Sequence, residues 1–410
     1  MHTPGCNQYD SGYGTSGQPG KTMNILSINA GSSSIKYKAY AFSRKGHKLL
    51  LSGLIEGIGE SSANWHHHFK TSSVSQVQLA NHAEAFSLLS SRLKSDLAHH
   101  PLTRIGHRVV HGGTDLFEPT VITPETLQQI KELSFLAPIH NPVNVIGIEL
   151  AQENFPEAVH VAVFDTGFHH QMPDQVYNYP IDMEVSKQFK IRRYGFHGIN
   201  HEYVARRAAQ FLEKPLNACN FISLHLGNGA SACLIKRGMS ADTTMGLTPL
   251  AGLVMGTRCG DIDPAIPLYL IDKGLSPKEV DHLLNKKSGL YGIGGDNDMR
   301  NLSSRFTKGD PKAKLAIHMY VYTIQKVIGA YLSQIEQLDA LIFTGGVGEN
   351  AVQIRKMILS SLKHFNFFID EEKNSEKIDN CDNISDVGHN ILVIRGDEEA
   401  MIAEKVFGLK

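Results

Sequence analysis

Twice along this 410-residue chain, a short apolar stretch runs into a turn of small residues and back out into a second apolar stretch. The first such unit is residues 24–29, the turn 30–34 and residues 35–42. The second is residues 221–226, the turn Gly227-Asn228-Gly229 and residues 231–236. Apolar runs on either side of small turn residues predict paired strands. Their recurrence at the head of each half predicts an internally duplicated architecture. Elsewhere the spacing becomes helical. Phe86, Leu89, Leu93 and Leu97 share one face of a helix over 84–97, and Ile317, Val321, Ile324, Ile328, Tyr331 and Ile335 form one stripe over 312–337. Further helices are expected over 124–136, opened by Thr123, after His140-Asn141-Pro142, and over 351–362. Further strands are expected at 105–110, 159–164 and 340–344, while residues 61–73 read as an irregular polar excursion. Strands alternating with helices predict an α/β fold. The length exceeds one ordinary core, so two domains are expected.

Charge narrows the partners. The chain carries 40 Lys+Arg against 41 Asp+Glu, without the basic excess that gripping nucleic acid by its phosphates requires. Any anion-binding groups must therefore be placed locally. No apolar run approaches ~18 residues, so no membrane span is expected. The cysteines, Cys6, Cys219, Cys233, Cys259 and Cys381, are odd in number and never spaced C-x-x-C, which predicts reduced thiols in a cytoplasm rather than disulfides or a zinc ribbon. Residues 1–22 are rich in Gly, Ser and Pro and lack the apolar core of a secretory signal. They read as a disordered extension, or as residues upstream of a true start at Met23.

Several segments carry chemistry. In Asn29-Ala30-Gly31-Ser32-Ser33-Ser34-Ile35-Lys36, small residues admit a phosphate to the backbone, hydroxyls donate and a lysine supplies charge. It is not a Walker loop, and a plain serine hairpin is the alternative. Gly227-Asn228-Gly229-Ala230-Ser231 is a second turn of that type, although Asn-Gly is also a common hairpin signal. Gly346-Val347-Gly348-Glu349-Asn350 follows a strand and precedes a helix, where a nucleotide could lie. The dinucleotide fingerprint G-x-G-x-x-G is incomplete there, because Ala351 stands in the last position. Arg108 ends an apolar strand and Arg258 sits among glycines, positions that suit a bidentate anion contact. A structural salt bridge to a neighbouring aspartate is the alternative for each. Asp165 ends a strand where open α/β sheets place ligand groups. His197 and His140 are candidates that composition alone leaves undecided, and His66-His67-His68 reads as a loop without function.

Taken together, N-A-G-S-S-S-I-K, G-H-R-V-V-H-G-G, I-H-N-P, V-F-D-T-G-F-H, Y-G-F-H-G, H-L-G-N-G-A-S, M-G-T-R-C-G-D-I-D-P, F-T-G-G-V-G-E-N and the late D-E-E resemble the acetokinase family from about Met23 onward. The resemblance implies a duplicated actin-like (ribonuclease H-like) ATPase fold: an N-terminal domain over 23–167 completed by a C-terminal helix over about 396–410, a nucleotide-binding domain over 168–395, and an active-site cleft between them. It implies a cytoplasmic homodimer that transfers the ATP γ-phosphate to acetate with Mg²⁺, Mn²⁺ being an alternative. It also implies roles. Asn29 and Glu398 hold the metal. Lys36, Ser32 and Ser34 face the nucleotide phosphates, and His225, Leu226, Gly227, Asn228, Gly229, Asp298, Met299, Arg300, Gly346, Val347, Gly348, Glu349 and Asn350 line the nucleotide site. Arg108 binds the acyl substrate, Arg258, His197 and His140 the transferring phosphoryl group, and Asp165 is the essential carboxylate. Val110, Ile139, Phe196 and Pro249 form the pocket for the methyl group.

The chain departs from the family pattern at Ala251 (customarily Glu), at Cys259 (customarily Ser), at Arg395-Gly396 (commonly Pro-Thr), and over 292–297, which looks one residue short. A propionate or butyrate kinase and a non-catalytic actin-like nucleotide-binding protein are the competing readings. A nicotinamide oxidoreductase would need the missing fingerprint. A carboxylic acid of pKa ~4–5 is already ionised at neutral pH, so the expected chemistry is direct in-line transfer. In that chemistry Asp165 orients an arginine or a metal-bound water and does not abstract a proton.

Overall fold

The computed structural model describes residues 22–43, 45–138 and 140–410, so the expectation for the leader and that for Ile139 fall outside the described residues (Thr22 apart). The chain divides into two compact units. One is the chain up to Gly167 together with Asp397–Lys410, and the other is Phe168–Gly396.

In the first unit β1 (Met23–Ala30) and β2 (Ser34–Ser43) pair antiparallel, closing with Ala30 opposite Ile35. Next come β3 (Gly46–Glu56), β4 (Ala63–Phe69) and β5 (Thr71–Val77), each antiparallel to its predecessor. On the other side of β1 lies β6 (Arg104–Val109), parallel to it. The short β7 (Thr120–Val121) and β8 (Val159–Phe164) complete the order β5-β4-β3-β2-β1-β6-β8-β7, with β6 and β8 parallel. The helix His82–Asp96 is N-capped by Asn81 and packs Phe86, Leu89 and Leu93 on Leu26, Ile28, Ile35 and Tyr37.

The polar excursion expected over 61–73 is instead β4 and the start of β5. An inward histidine conceals the strand alternation. His67 is buried because its Nδ1 lies 2.6 Å from Tyr37 Oη and its Nε2 2.8 Å from Asp96, so both ring nitrogens are satisfied. The His66-His67-His68 cluster is therefore strand, not loop.

The second unit repeats the design. β9 (Asn220–Leu226) and β10 (Ala230–Lys236) form the hairpin, β11 (Met239–Thr243) follows antiparallel, and β12 (Ala340–Thr344) lies parallel to β9. Later come β13 (Phe367–Ile369), β14 (Cys381–Asn383), β15 (Ser385–Gly388) and β16 (Asn390–Ile394). The main sheet runs β11-β10-β9-β12-β16-β14. Strand for strand, β3-β2-β1-β6-β8 corresponds to β11-β10-β9-β12-β16: an antiparallel ribbon, then two parallel neighbours. This is the duplicated actin-like fold. The helix Pro311–Leu332 buries Ile317, Val321, Ile324, Ile328 and Tyr331. It ends at the Ser333 cap, before Ile335. Likewise the helix expected over 124–136 is Pro124–Glu132 followed by one 3-10 turn.

The C-terminal helix Glu398–Gly408 packs on β1 and β6 of the first unit. Gly106 makes that approach possible, because a Cβ there would stand 2.5 Å from Ile402 Cγ2 and 2.8 Å from Val406 Cγ2. Arg104 Nη1 donates to Val406 O at 2.7 Å and Leu409 O at 2.8 Å, satisfying carbonyls at the helix end. Gly106→Val should overpack this seam by ~1–3 kcal/mol and lower the unfolding midpoint by about 1–4 °C in calorimetry. An unchanged midpoint would show that the helix does not need the glycine.

Candidate functional site

In the first unit the C-terminal ends of β1, β6 and β8 bring four predicted residues together. Asp165 directly follows β8, its N–H bonds to Val109 O at 3.0 Å, and its side chain is buried. Arg108, on β6, donates from Nε to Asp165 Oδ2 at 3.1 Å, with Nη2 making the second contact of a bidentate pair. Its Nη1 donates to Asn29 Oδ1 at 3.2 Å, and Asn29 Nδ2 lies 3.5 Å from Glu398 Oε2. The salt-bridge alternative thus holds for Arg108, and its partner is Asp165.

Three consecutive carboxylates each face a cation: Asp397 meets Lys38 at 2.6 Å, Glu398 meets Arg108 at 3.8 Å, and Glu399 meets Lys36 at 2.8 Å. Lys36 is therefore tied to a fully buried glutamate, although its side chain stays 43% exposed and open to a ligand. Ser32 is exposed and Ser34 half-buried in the preceding turn, which Gly31 N–H closes on Ser34 O at 2.8 Å. Burial pushes the Asp165 carboxyl up to about 6, against the pull of Arg108, and Glu398 adds to the push. For Arg108, burial disfavours the charge but Asp165 and then Glu398 outweigh it, so the guanidinium is held charged.

Two asparagines that the sequence reading missed lock these strand ends. Asn144 accepts from Val110 N–H at 3.1 Å and donates to Ala30 O at 3.0 Å. Asn141 accepts from His111 N–H at 3.1 Å and donates to His111 O at 3.0 Å. Both lie in the helix Asn141–Asn154, whose N-cap is the half-buried His140. The available signal was a pair of asparagines three apart on either side of Pro142, on a helix whose other buried residues are Val145, Gly147, Ile148 and Ala151. Val110 is buried in the first unit, whereas Phe196 (buried) and Pro249 (half-buried) belong to the second.

In the second unit His197 adopts a left-handed backbone (φ 57°) at the N-cap of the helix Gly198–Phe211. Its Nδ1 lies 2.9 Å from Ser231 Oγ, and its ring stacks on His225 at 4.2 Å. His225 Nδ1 in turn lies 2.8 Å from Asn200 Nδ2. Gly229 leaves a bare backbone face here. A Cβ on it would be 3.3 Å from His197 Nε2 and 3.7 Å from Arg258 Nη1, so these two groups flank one small space. Arg258 Nη1 donates to Pro249 O at 3.2 Å, and no carboxylate pairs with it among the described residues. For Arg258 the salt-bridge alternative fails. Burial lowers its pKa with no anion to offset it.

Beside this lies a cavity of about 870 Å³. It brings together Gly227, Asn228, Asp298, Met299, Arg300, Gly346, Val347 and Asn350 from the predicted set, and adds Leu290, Ser303 and Gln353. His225, Leu226, Gly229, Gly348 and Glu349 are not in its wall. The segment Gly345–Asn350, between β12 and the next helix, is itself a helical turn, and Glu349 braces it: Oε1 accepts from Gly345 N–H and Gly396 N–H, both at 3.0 Å. A Cβ at Gly396 would stand 2.5 Å from Asn200 Oδ1, so a side chain there requires that amide to move. The buried Arg355, also missed, donates to Gly348 O and Glu349 O at 2.9 Å each and to Asn374 O at 2.8 Å, fixing the same turn from behind. Its sequence signal was slight, because Arg355 is one of two adjacent basic residues, with Lys356, within Ile354–Leu359.

The acetokinase family profile matches residues 24–404. The chain is similar to the acetate kinase of Thermotoga maritima, at 44% identity over 93% of this chain and 97% of that one. Among solved structures it is similar to a propionate kinase from Francisella tularensis (TM-score 0.87, 42% identity, covering 93% of this chain and 98% of that one). It is also similar to the Porphyromonas gingivalis acetate kinase (TM-score 0.85, 35% identity, covering 95% and 100%). The family profile and a relative at 44% identity each span nearly the whole chain: the chain belongs to the acetokinase family.

Proposed function

We propose that this protein catalyses the reversible transfer of the ATP γ-phosphate to acetate, giving acetyl phosphate and ADP, by direct in-line displacement. The observation that carries the reading is Arg258. It is a partly buried guanidinium with no carboxylate partner among the described residues, next to His197 across the bare backbone of Gly229. Uncancelled positive charge beside hydrogen-bond donors suits an equatorial phosphoryl oxygen as charge redistributes. His140 is assigned to the same group by resemblance. The 870 Å³ cavity and the Gly345–Asn350 turn, whose glycines leave the backbone bare, suit the nucleotide.

By resemblance, Arg108 is assigned to the acid's carboxylate, and Val110, Ile139, Phe196 and Pro249 to its methyl group. Because the acid arrives ionised, no proton need be removed. Asp165, already bonded to Arg108 through two guanidinium nitrogens, orients that arginine and is not a base. Asn29 and Glu398 would hold Mg²⁺, or Mn²⁺. Among the described residues no group of three or more His, Cys, Asp or Glu is placed to cage a metal. Two oxygen donors suit a hard cation that retains waters and shares phosphate oxygens. When bound, the ion neutralises phosphate charge. The resemblance to a propionate kinase favours propionate as a second acceptor.

Oligomeric state belongs to the same reading. The helix Ala265–Asp272 buries none of its residues, with Leu268 66% and Tyr269 60% exposed. Such an apolar helix is explained by a second copy of the chain covering it, as the family resemblance implies.

A hydroxamate assay with acetate, propionate and butyrate should give acyl phosphate, fastest with acetate; no product with any acid sinks the proposal. Arg258→Ala should lower kcat by ~10²-fold or more with the KM for ATP little changed, and near-normal turnover would refute its role. In metal-free protein the Asp165 carboxyl should titrate near pH 6 by carboxylate NMR, with the signal lost in Asp165→Asn. The sign follows. Between pH ~4 and 6 the folded chain holds a proton that the unfolded chain has released, so this carboxyl's stabilising contribution is full below that window and lost as pH rises through it. Light scattering should give a dimer for the native chain and a monomer for Leu268→Asp. A native monomer would rule out this surface as a dimer contact.

A further inference from the structure

Behind His197 lies a chain of polar side chains that the proposed reaction does not use. Ser231 Oγ stands 2.9 Å from His197 Nδ1 and 2.8 Å from His201 Nε2, and His201 Nδ1 stands 3.0 Å from Ser223 Oγ. Ser223, Ser231 and His201 are each 0% exposed, so water cannot complete their bonding. Burial, with His169 and His225 close by, pushes the His201 pKa well down, so the ring is neutral and carries one proton.

Protons can be arranged along this chain in two directions. In one, His197 donates from Nδ1 to Ser231, Ser231 donates to His201 Nε2, and His201 donates from Nδ1 to Ser223. That arrangement leaves the Ser223 hydroxyl proton buried with nothing to accept it, because His201 Nδ1 is its one side-chain partner among the described residues. An unmet buried donor is the costlier defect. In the other direction Ser223 donates to His201 Nδ1, His201 donates from Nε2 to Ser231, and Ser231 donates to His197 Nδ1. Every buried proton then has an acceptor.

We infer that Ser223, His201 and Ser231 form a buried relay that places the proton of neutral His197 on Nε2, the nitrogen facing Gly229 and Arg258. The three are positioning residues. They present His197 as a hydrogen-bond donor toward the space where, on the function proposed above, a phosphoryl oxygen passes. Without them the imidazole is free to place a lone pair there, repelling that oxygen.

The test is imidazole nitrogen NMR on the full chain labelled with ¹⁵N-histidine, with the His197 signals identified by their loss in His197→Gln. The native protein should show a pyrrole-type Nε2 and a pyridine-type Nδ1. Ser231→Ala and Ser223→Ala, both small deletions, should mix the two tautomers. Ser231→Ala should also lower kcat about tenfold with the KM for ATP within about twofold, and Ser231→Thr should restore both readouts. A pyridine-type Nε2 in the native protein overturns the inference, even if no variant folds. So do His197 signals that are unmoved in both alanine variants. The tautomer is read without turnover: an inactive protein with the expected nitrogen pattern would fail the kinase reading alone, and an active one with the opposite pattern would fail this inference alone.

Discussion

Removing an ion from water is costly unless another group takes over the hydration, and the way each buried arginine meets that condition organises this molecule. Arg108 meets it with carboxylates. Asp165 grips it through two nitrogens, with Asn29 and Glu398 at its edge. Arg355 meets it with carbonyls, three from the backbone and one from the Asn374 side chain, and becomes part of the scaffold. Arg258 has a carbonyl from Pro249 and a long contact to the Met255 sulfur, and no carboxylate among the described residues. One side-chain type therefore serves as a paired anchor, an internal brace and a source of field. A formal chain charge of −1 conceals this, because what matters is which charges are left uncancelled and where.

The duplicated architecture supplies two hairpins of like geometry, and the chain has furnished them differently. The turn after β1 is fixed from outside by Asn144, which holds Ala30 O, and its lysine is matched to Glu399. The turn after β9 is fixed by the loop that carries Arg258: Gly256 donates to Asn228 O at 2.9 Å and lies against the Asn228 amide too closely for any side chain. The first hairpin thus sits among paired charges, and the second beside a histidine network and a bare arginine.

The sequence displays some of this and hides the rest for physical reasons. Hairpins and the main helices could be read because burial leaves a period in the apolar residues. Arg108 and Asp165 were readable because a charge closing an apolar strand calls for a partner. β4 was unreadable because His67 is buried through hydrogen bonds rather than through hydrophobicity, which breaks the alternation. Asn144 and Arg355 were unreadable because they bond mainly to backbone atoms, and a backbone carbonyl or N–H leaves no mark on composition. Glu349 was read as lining the nucleotide site, yet its carboxylate holds two backbone N–H groups. The motif was visible there, but not its direction.

Gly396 constrains how the sequence can drift. The chain leaves the second unit immediately after it, and the space above its Cα is already taken by the Asn200 amide, which also reaches the His225 ring. A side chain at 396 requires the Asn200 amide to move aside, and moving or shortening that amide gives up the contact that orients His225. The two sites are therefore coupled: drift at position 396 is felt at an imidazole in the second unit.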